Sequence, residues 1–270
     1  MPAASRQANV FPRLVHIIGS FYLPTYGVVV VIAYLAGVWL LRRKALAAGL
    51  PDQRILDLSL YVLAAAILGA KALLVIVDLL KGEPITFLGV VQSAGVFYGG
   101  FICAAILGIW YMRKHRLPAW MVADMGAPSI ALGDAIGRWG CFAAGCCYGK
   151  EWHGAWAVTF TDPFAQENVG TPLGIPLHPT QIYLSLNAFL IFLVLQWAYR
   201  RKTFDGQIFW LYVLLYSMTR GIIEIWRGDL VRGFVIPGVL STSQFIGIIG
   251  TLTSLGMLFY LSRRTREAEA

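Results

Sequence analysis

The chain has 270 residues, of which 58% are apolar and only 13% charged, and its mean hydropathy is +0.66. Soluble domains carry about 25% charged residues, so this composition excludes an ordinary soluble enzyme and points to a protein built for a bilayer. The net charge of +8 sits in short basic clusters between apolar runs, which fits membrane orientation and argues against a nucleic acid partner.

Taken in order, the first twenty residues, "MPAASRQANVFPRLVHIIGS", have no basic segment followed by an apolar core and a small-residue cleavage site. No removable signal peptide is therefore expected. Crossing the hydrocarbon core takes about 20 apolar residues. Runs of that kind predict spans near 21–41, 55–77, 94–112, 119–137, 180–199, 206–226 and 239–262. The expectation is an all-α membrane protein of about seven transmembrane helices, forming one integral membrane domain over 1–270. A small folded arm, 138–179, rich in Gly, Pro, Asp and Trp, separates spans four and five. "RRK" 42–44 with Arg54, "RKHR" 113–116, "RRK" 200–202 and "RRTR" 263–266 hold more than half of the 22 Lys and Arg residues. All four clusters fall on the same side of seven spans. The positive-inside rule makes that side cytoplasmic, with the N-terminus and the arm outside and the C-terminus inside.

The remaining charges are the informative ones. Lys71 lies well inside the second span, and Arg138 opens "GRWGCFAAGCCYG" at the end of the fourth. The sixth span ends in "YSMTRGIIEIWRGD", which puts Tyr216, Arg220, Glu224 and Arg227 on one helical stripe about 80° wide. A charge inside the membrane costs at least about 2.5–3.5 kcal/mol, so this stripe must face protein, water or an anionic ligand. Arg220 and Glu224, four apart, can neutralise each other. Arg138, Arg227 and Lys71 have no evident acid nearby in this reading, and the surplus of cation predicts an anionic partner such as a phospholipid head group. Gly137, Gly140, Gly145, Gly149 and Gly154 suggest a phosphate-accepting turn beside Arg138. Tyr98, in "GVFYGGF", reads as an interfacial tyrosine or a site residue. In "HPTQIY" 178–183, Pro179 suits a first helical turn, and His178 and Gln181 are candidates to face the same cavity.

In these motifs the chain resembles the prolipoprotein diacylglyceryl transferase family. "TYGVVV" 25–30, "FYGG" 97–100, "GRWGCF" 137–142, "HPTQIY" 178–183 and "YSMTRGIIEIWR" 216–227 occur in that family's order and spacing, and the resemblance runs from about residue 20 to 262. It implies a seven-span protein of the bacterial inner membrane with an outward-facing site. The implied reaction moves the diacylglyceryl group of phosphatidylglycerol onto the lipobox cysteine of a preprolipoprotein signal peptide and releases glycerol phosphate, the first step of lipoprotein maturation. By the same resemblance Arg138 binds phosphatidylglycerol, and Tyr26, Tyr216, Arg220, Glu224, Arg227 and His178 fall on motif positions. Gly99, Gly100, Gly137, Gly140 and Gln181 join the substrate-binding set, and Lys71 stands where the family usually has arginine. The chain is divergent: Cys141, Ala144 and Cys146 replace Asn, Asn and Glu of the usual "GRxGNFxNxE", and Tyr98 replaces a frequent histidine. A paralogue with another thiol acceptor is thus an alternative.

For that reaction the attacked carbon is unactivated, so rate must come from stabilising the departing phosphate and supplying a thiolate. Arg138 and Arg220 are the expected phosphate clamp. Glu224, His178 and Tyr98 are the candidate proton acceptors. No cofactor and no metal is expected. C-x4-C-C at Cys141, Cys146 and Cys147 lacks the C-x2-C pairs of zinc sites, with His153 the nearest further donor. It also lacks the C-x-x-C of a membrane thiol oxidoreductase, the alternative from a different class. Packed small residues, or a bridge from Cys141 to Cys146 or Cys147, are the expectation there. A transporter built on the Arg/Glu stripe would need inverted repeats or interrupted spans, and the sequence has neither.

Overall fold

A computed structural model describes residues 6–8, 12–18, 21–82, 84–92, 95–228, 234–236 and 240–269. It is predominantly helical. The elements run β1 (Arg6–Ala8), β2 (Arg13–Ile18), β3 (Phe21–Pro24), α1 (Thr25–Ala47), α2 (Asp52–Lys81), α3 (Phe87–Gln92), α4 (Phe97–Lys114) and α5 (Ala119–Ala144). They continue with β4 (Val158–Phe160), α6 (Pro163–Val169), β5 (Pro176–Leu177), α7 (Thr180–Tyr199), α8 (Gln207–Ile223), a 3-10 turn (Glu224–Trp226), β6 (Phe234–Ile236), β7 (Leu240–Ser241) and α9 (Thr242–Glu269). The short strands are an addition to the all-α expectation. β1, β4 and β5 form one small sheet, and β2–β3 and β6–β7 form two antiparallel pairs.

Among the described residues five helices are long and apolar enough to cross a membrane: α1, α2, α7, α8 with its 3-10 turn, and α9. The protein is thus a multi-pass membrane protein. The third and fourth expected spans are also helices, of 18 and 26 residues, but they are less apolar. α4 opens on a Tyr–Gly–Gly run and closes on Arg113 and Lys114. α5 carries Asp124, Pro128, Asp134 and Arg138, and several of its residues are fully buried.

The chain packs as two units, residues 1–39 with 123–270, and residues 40–122. In the first, Ala127 and Ala131 of α5 meet Ile191 and Leu195 of α7 and Ile208 of α8, all nearly inaccessible. With no water to expel in the bilayer, such contacts rest on close van der Waals fit, and the small residues allow it. The N-terminus of α8 is capped from α5 and not by its own neighbour, since Gly206 offers no side chain. The Asp124 carboxylate accepts from the backbone N–H groups of Gly206, Ile208 and Phe209, each at 2.9 Å, and from Lys202 Nζ at 3.3 Å.

In the second unit α2 packs on α4 through glycine. A Cβ on Gly100 would lie 2.6 Å from the Ala66 carbonyl oxygen, and one on Gly69 would lie 2.5 Å from that of Gly99. Gly100→Val is therefore expected to force the two helices apart and cost about 1–3 kcal/mol of stability, visible as a lower unfolding temperature of the detergent-purified protein.

Candidate active site

Four chain segments meet at one end of the first unit: the starts of α1 and α7, and the ends of α5 and α8. α5 is longer than a bilayer crossing requires. Arg138 is the twentieth of its 26 residues. Its guanidinium is largely shielded from solvent and donates from Nε to Asp134 Oδ1 at 2.9 Å. The pair spends only the Nε–H of a five-donor fork. Tyr216, Cys141 and Cys147 are the other groups within its electrostatic reach.

α8 supplies the stripe. Arg220 Nη1 donates to Glu224 Oε2, and Arg227 Nε lies 3.9 Å from the same oxygen. Arg220 and Arg227 are buried. One carboxylate therefore serves two guanidiniums, a geometry that holds both arginines in place inside a poorly solvated site. Tyr216 stacks obliquely on Tyr212, with ring centroids 5.7 Å apart.

The arm that follows α5 closes the site. It leaves the helix through Gly145, at φ +78°, and Cys147, at φ +61°. Two α7 residues hold this turn: Thr180 Oγ1 donates to the Cys147 carbonyl at 2.6 Å, and Gln181 Nε2 donates to that of Cys146 at 2.8 Å. The chain then threads between two neighbours. Gly149 N donates to His178 O, Lys150 N to Trp226 O, and Gly228 N to Tyr148 O. A Cβ on Gly149 would stand 2.5 Å from His178 O and 2.9 Å from Trp226 O, so only glycine passes there. This crossing positions His178 on one side and Arg227 on the other. The His178 ring stacks on Trp152 at 4.4 Å between centroids, and its Nδ1 lies 3.2 Å from the Tyr183 hydroxyl. Burial holds its pKa below the ordinary imidazole value, which keeps it neutral at pH 7.

Several expectations need correction. Arg138 and Arg227 each have an acid near them, Asp134 four residues before Arg138 and Glu224 three before Arg227, and because Arg220 shares Glu224 one positive charge remains in surplus there. Lys71 is likewise engaged, donating to the Val90 carbonyl at 2.6 Å within the second unit. The glycine turn at Arg138 is not a turn. Gly137 and Gly140 are inside α5, whose backbone N–H groups are committed to the helix, and of the five glycines only Gly145 has positive φ. The arm accordingly begins at residue 145 and not at 138. Gly140 instead makes room for Tyr26, whose Cδ2 would be 3.3 Å from an added Cβ.

Tyr26, Arg138, Gln181, His178, Tyr216, Arg220, Glu224 and Arg227 all belong to the first unit, whereas Tyr98, Lys71, Gly99 and Gly100 belong to the second. There Tyr98 is half exposed beside Phe97, and Gly99 and Gly100 face α2 backbone. Cys141, Cys146 and Cys147 are free thiols, with no bridge from Cys141 to either of the others. Hydrogen bonds with Cys141 and Cys146, and then Arg227, hold the Cys147 thiol far below its ordinary range; the same bonds push Cys146 up. Asp134, Trp152 and Thr180 are functional-site neighbours that the sequence reading missed. The i,i+4 spacing of Asp134 and Arg138 was the available signal.

A family model for prolipoprotein diacylglyceryl transferase matches residues 12–260. A phosphatidylglycerol–prolipoprotein diacylglyceryl transferase of Clostridium tetani is 39% identical over 247 residues, covering 90% of this chain and 94% of the relative. Proteins of the same name from Finegoldia magna and Bacillus cytotoxicus are 33% and 31% identical, over 83% and 92% of this chain and 85% and 90% of their own lengths. With the charged motifs on α5 and α8 in place, this establishes that the chain belongs to the prolipoprotein diacylglyceryl transferase family.

Proposed function

We propose that the protein transfers the diacylglyceryl group of phosphatidylglycerol to the lipobox cysteine thiol of preprolipoproteins. The observation that carries this reading is Arg138: a shielded guanidinium in the last turns of α5, anchored through Nε, whose terminal amino groups make no hydrogen bond among the described residues. That fork matches the two free oxygens of a phosphodiester. The names of the relatives support the substrate pair.

In this mechanism the acceptor sulfur attacks the glyceryl carbon, the S–C bond forms, and the C–O bond to phosphorus breaks with its electron pair going to the phosphate oxygen. Arg138 and Arg220 stabilise the charge gathering on that phosphate, which leaves as glycerol phosphate. Glu224 is held between two guanidiniums and serves chiefly to place them. His178, neutral at pH 7, is the group suited to take the thiol proton. By resemblance Tyr98 stands where the family frequently has histidine, and a phenol is a poorer proton acceptor than a neutral imidazole.

The reading includes seven spans, with α4 and α5 crossing as the third and fourth, in a bacterial inner membrane. The four basic clusters then face the cytoplasm, as does the C-terminus, while the N-terminus, the arm and the site face outward. A span enclosed by other helices tolerates the polarity of α5. The direct test is incubation of the purified protein with phosphatidylglycerol and a lipobox peptide. The peptide is expected to gain one diacylglyceryl mass as glycerol phosphate appears, and a serine-substituted peptide is expected to stay unmodified. Absence of product from folded protein would defeat the proposal.

A further inference from the structure

The three cysteines dismissed as a zinc site on spacing are brought together by the turn that ends α5. Cys141 lies on the last helical turn, and the left-handed Gly145 and Cys147 fold the chain back over it. As a result the Sγ atoms of Cys141, Cys146 and Cys147 all lie within 4.8 Å of one another. Zn–S bonds of about 2.3 Å in tetrahedral or trigonal geometry put sulfurs about 3.8–4.0 Å apart, so closing on a metal takes a movement of less than about 1 Å. The C-x2-C rule is one way to converge thiols, and a helix end with a reversed turn is another.

We propose that Cys141, Cys146 and Cys147 form a zinc site, a role separate from the diacylglyceryl transfer proposed above. The surroundings suit it. All three residues are partly shielded, and the cluster backbone is fixed from outside, with the Cys146 and Cys147 carbonyls held by Gln181 and Thr180. Three thiolates on Zn2+ leave one negative charge, and Arg227 lies against Cys147 to meet it. Three protein donors leave a fourth position for a water or another small donor. Gln181 provides for that as well. It is fully buried, and its Oε1 has no hydrogen-bond partner among the described residues, although its Nε2 is bonded at Cys146. A metal-bound water is the type of donor that would satisfy this oxygen. His153, the donor considered from sequence, is turned away to Glu151 at 3.1 Å.

The test uses the full-length reduced protein in detergent. After incubation with ZnCl2 and desalting, metal analysis is expected to find one zinc per chain, and Co2+ loading to give thiolate-to-metal charge-transfer absorption. Mass mapping of alkylated wild-type protein gives a reading that needs no variant. Zinc should slow alkylation of the three cluster cysteines, a chelator should restore it, and Cys103, exposed and far along the chain in α4, should be unaffected. Cys141→Ser and Cys147→Ser should each lower zinc retention by at least tenfold. No retained zinc, equal retention by the variants, or protection confined to a disulfide between two cluster cysteines would overturn the site. None of these readouts depends on transfer activity, so failure here leaves the transferase reading standing.

Discussion

Arg138→Ala is expected to lower diacylglyceryl transfer by at least about 100-fold, the usual loss when one donor to a developing oxyanion is removed. The effect should lie mainly in kcat, because the charge on the departing phosphate grows as the C–O bond breaks. Arg138→Lys keeps the charge but not the fork, and its activity should fall between those of wild type and alanine. Either change also strips Asp134 of its partner, so helix content and unfolding temperature must be followed in parallel. A variant that folds like wild type and transfers at the wild-type rate would remove Arg138 from the site.

The second large effect is expected far from any substrate. Asp124 is completely buried and gathers three backbone N–H groups and Lys202 at the start of α8. Asp124→Ala leaves three backbone N–H groups without their acceptor, which costs about 1–3 kcal/mol, while Lys202 keeps Asp205 at 2.8 Å. Asp124→Asn keeps one acceptor oxygen and should cost less. Thermal unfolding in detergent is the measurement, and an unchanged unfolding temperature for the alanine variant would refute the capping role. The sequence alone offers no route to it, since Asp124 and the groups it holds are 78 to 85 residues apart.

What could be read from the sequence followed the physics of local signals. Apolar runs of about 20 residues located the helical segments, and α7 runs from Thr180 to Tyr199 with Pro179 at its N-cap. Helical spacing aligns Tyr216 with Arg220 on α8, whereas Glu224 lies in the 3-10 turn and Arg227 is extended beyond it, so the expected single helical stripe stops at the end of α8. The errors arose where a local signal had two meanings. "GRWG" looks like a turn by glycine content, yet inside a packed helix small residues make room for neighbours, and Gly140 is there for Tyr26. Asp134 lies in an otherwise apolar run, where only its i,i+4 spacing to Arg138 marks it. Linear spacing does not show the convergence of the cysteines, which depends on two left-handed residues, Gly145 and Cys147, one of them not glycine.

The crossing at Gly149 has a bearing on how much of this chain is free to change. Just beyond it, Glu151 bridges to Leu177 and Trp152 N bonds to Pro176 O, so the segment from 152 to 176 leaves and returns at adjacent points. Length added at the exposed turn of Gly174 and Ile175 falls outside that closure, whereas Gly170 and Thr171 are tied to Tyr148 and Gly145. That turn is the natural place to splice in a reporter, an epitope or a cleavage sequence, whereas one added residue between Tyr148 and Glu151 would shift every contact that joins α5, α7 and α8.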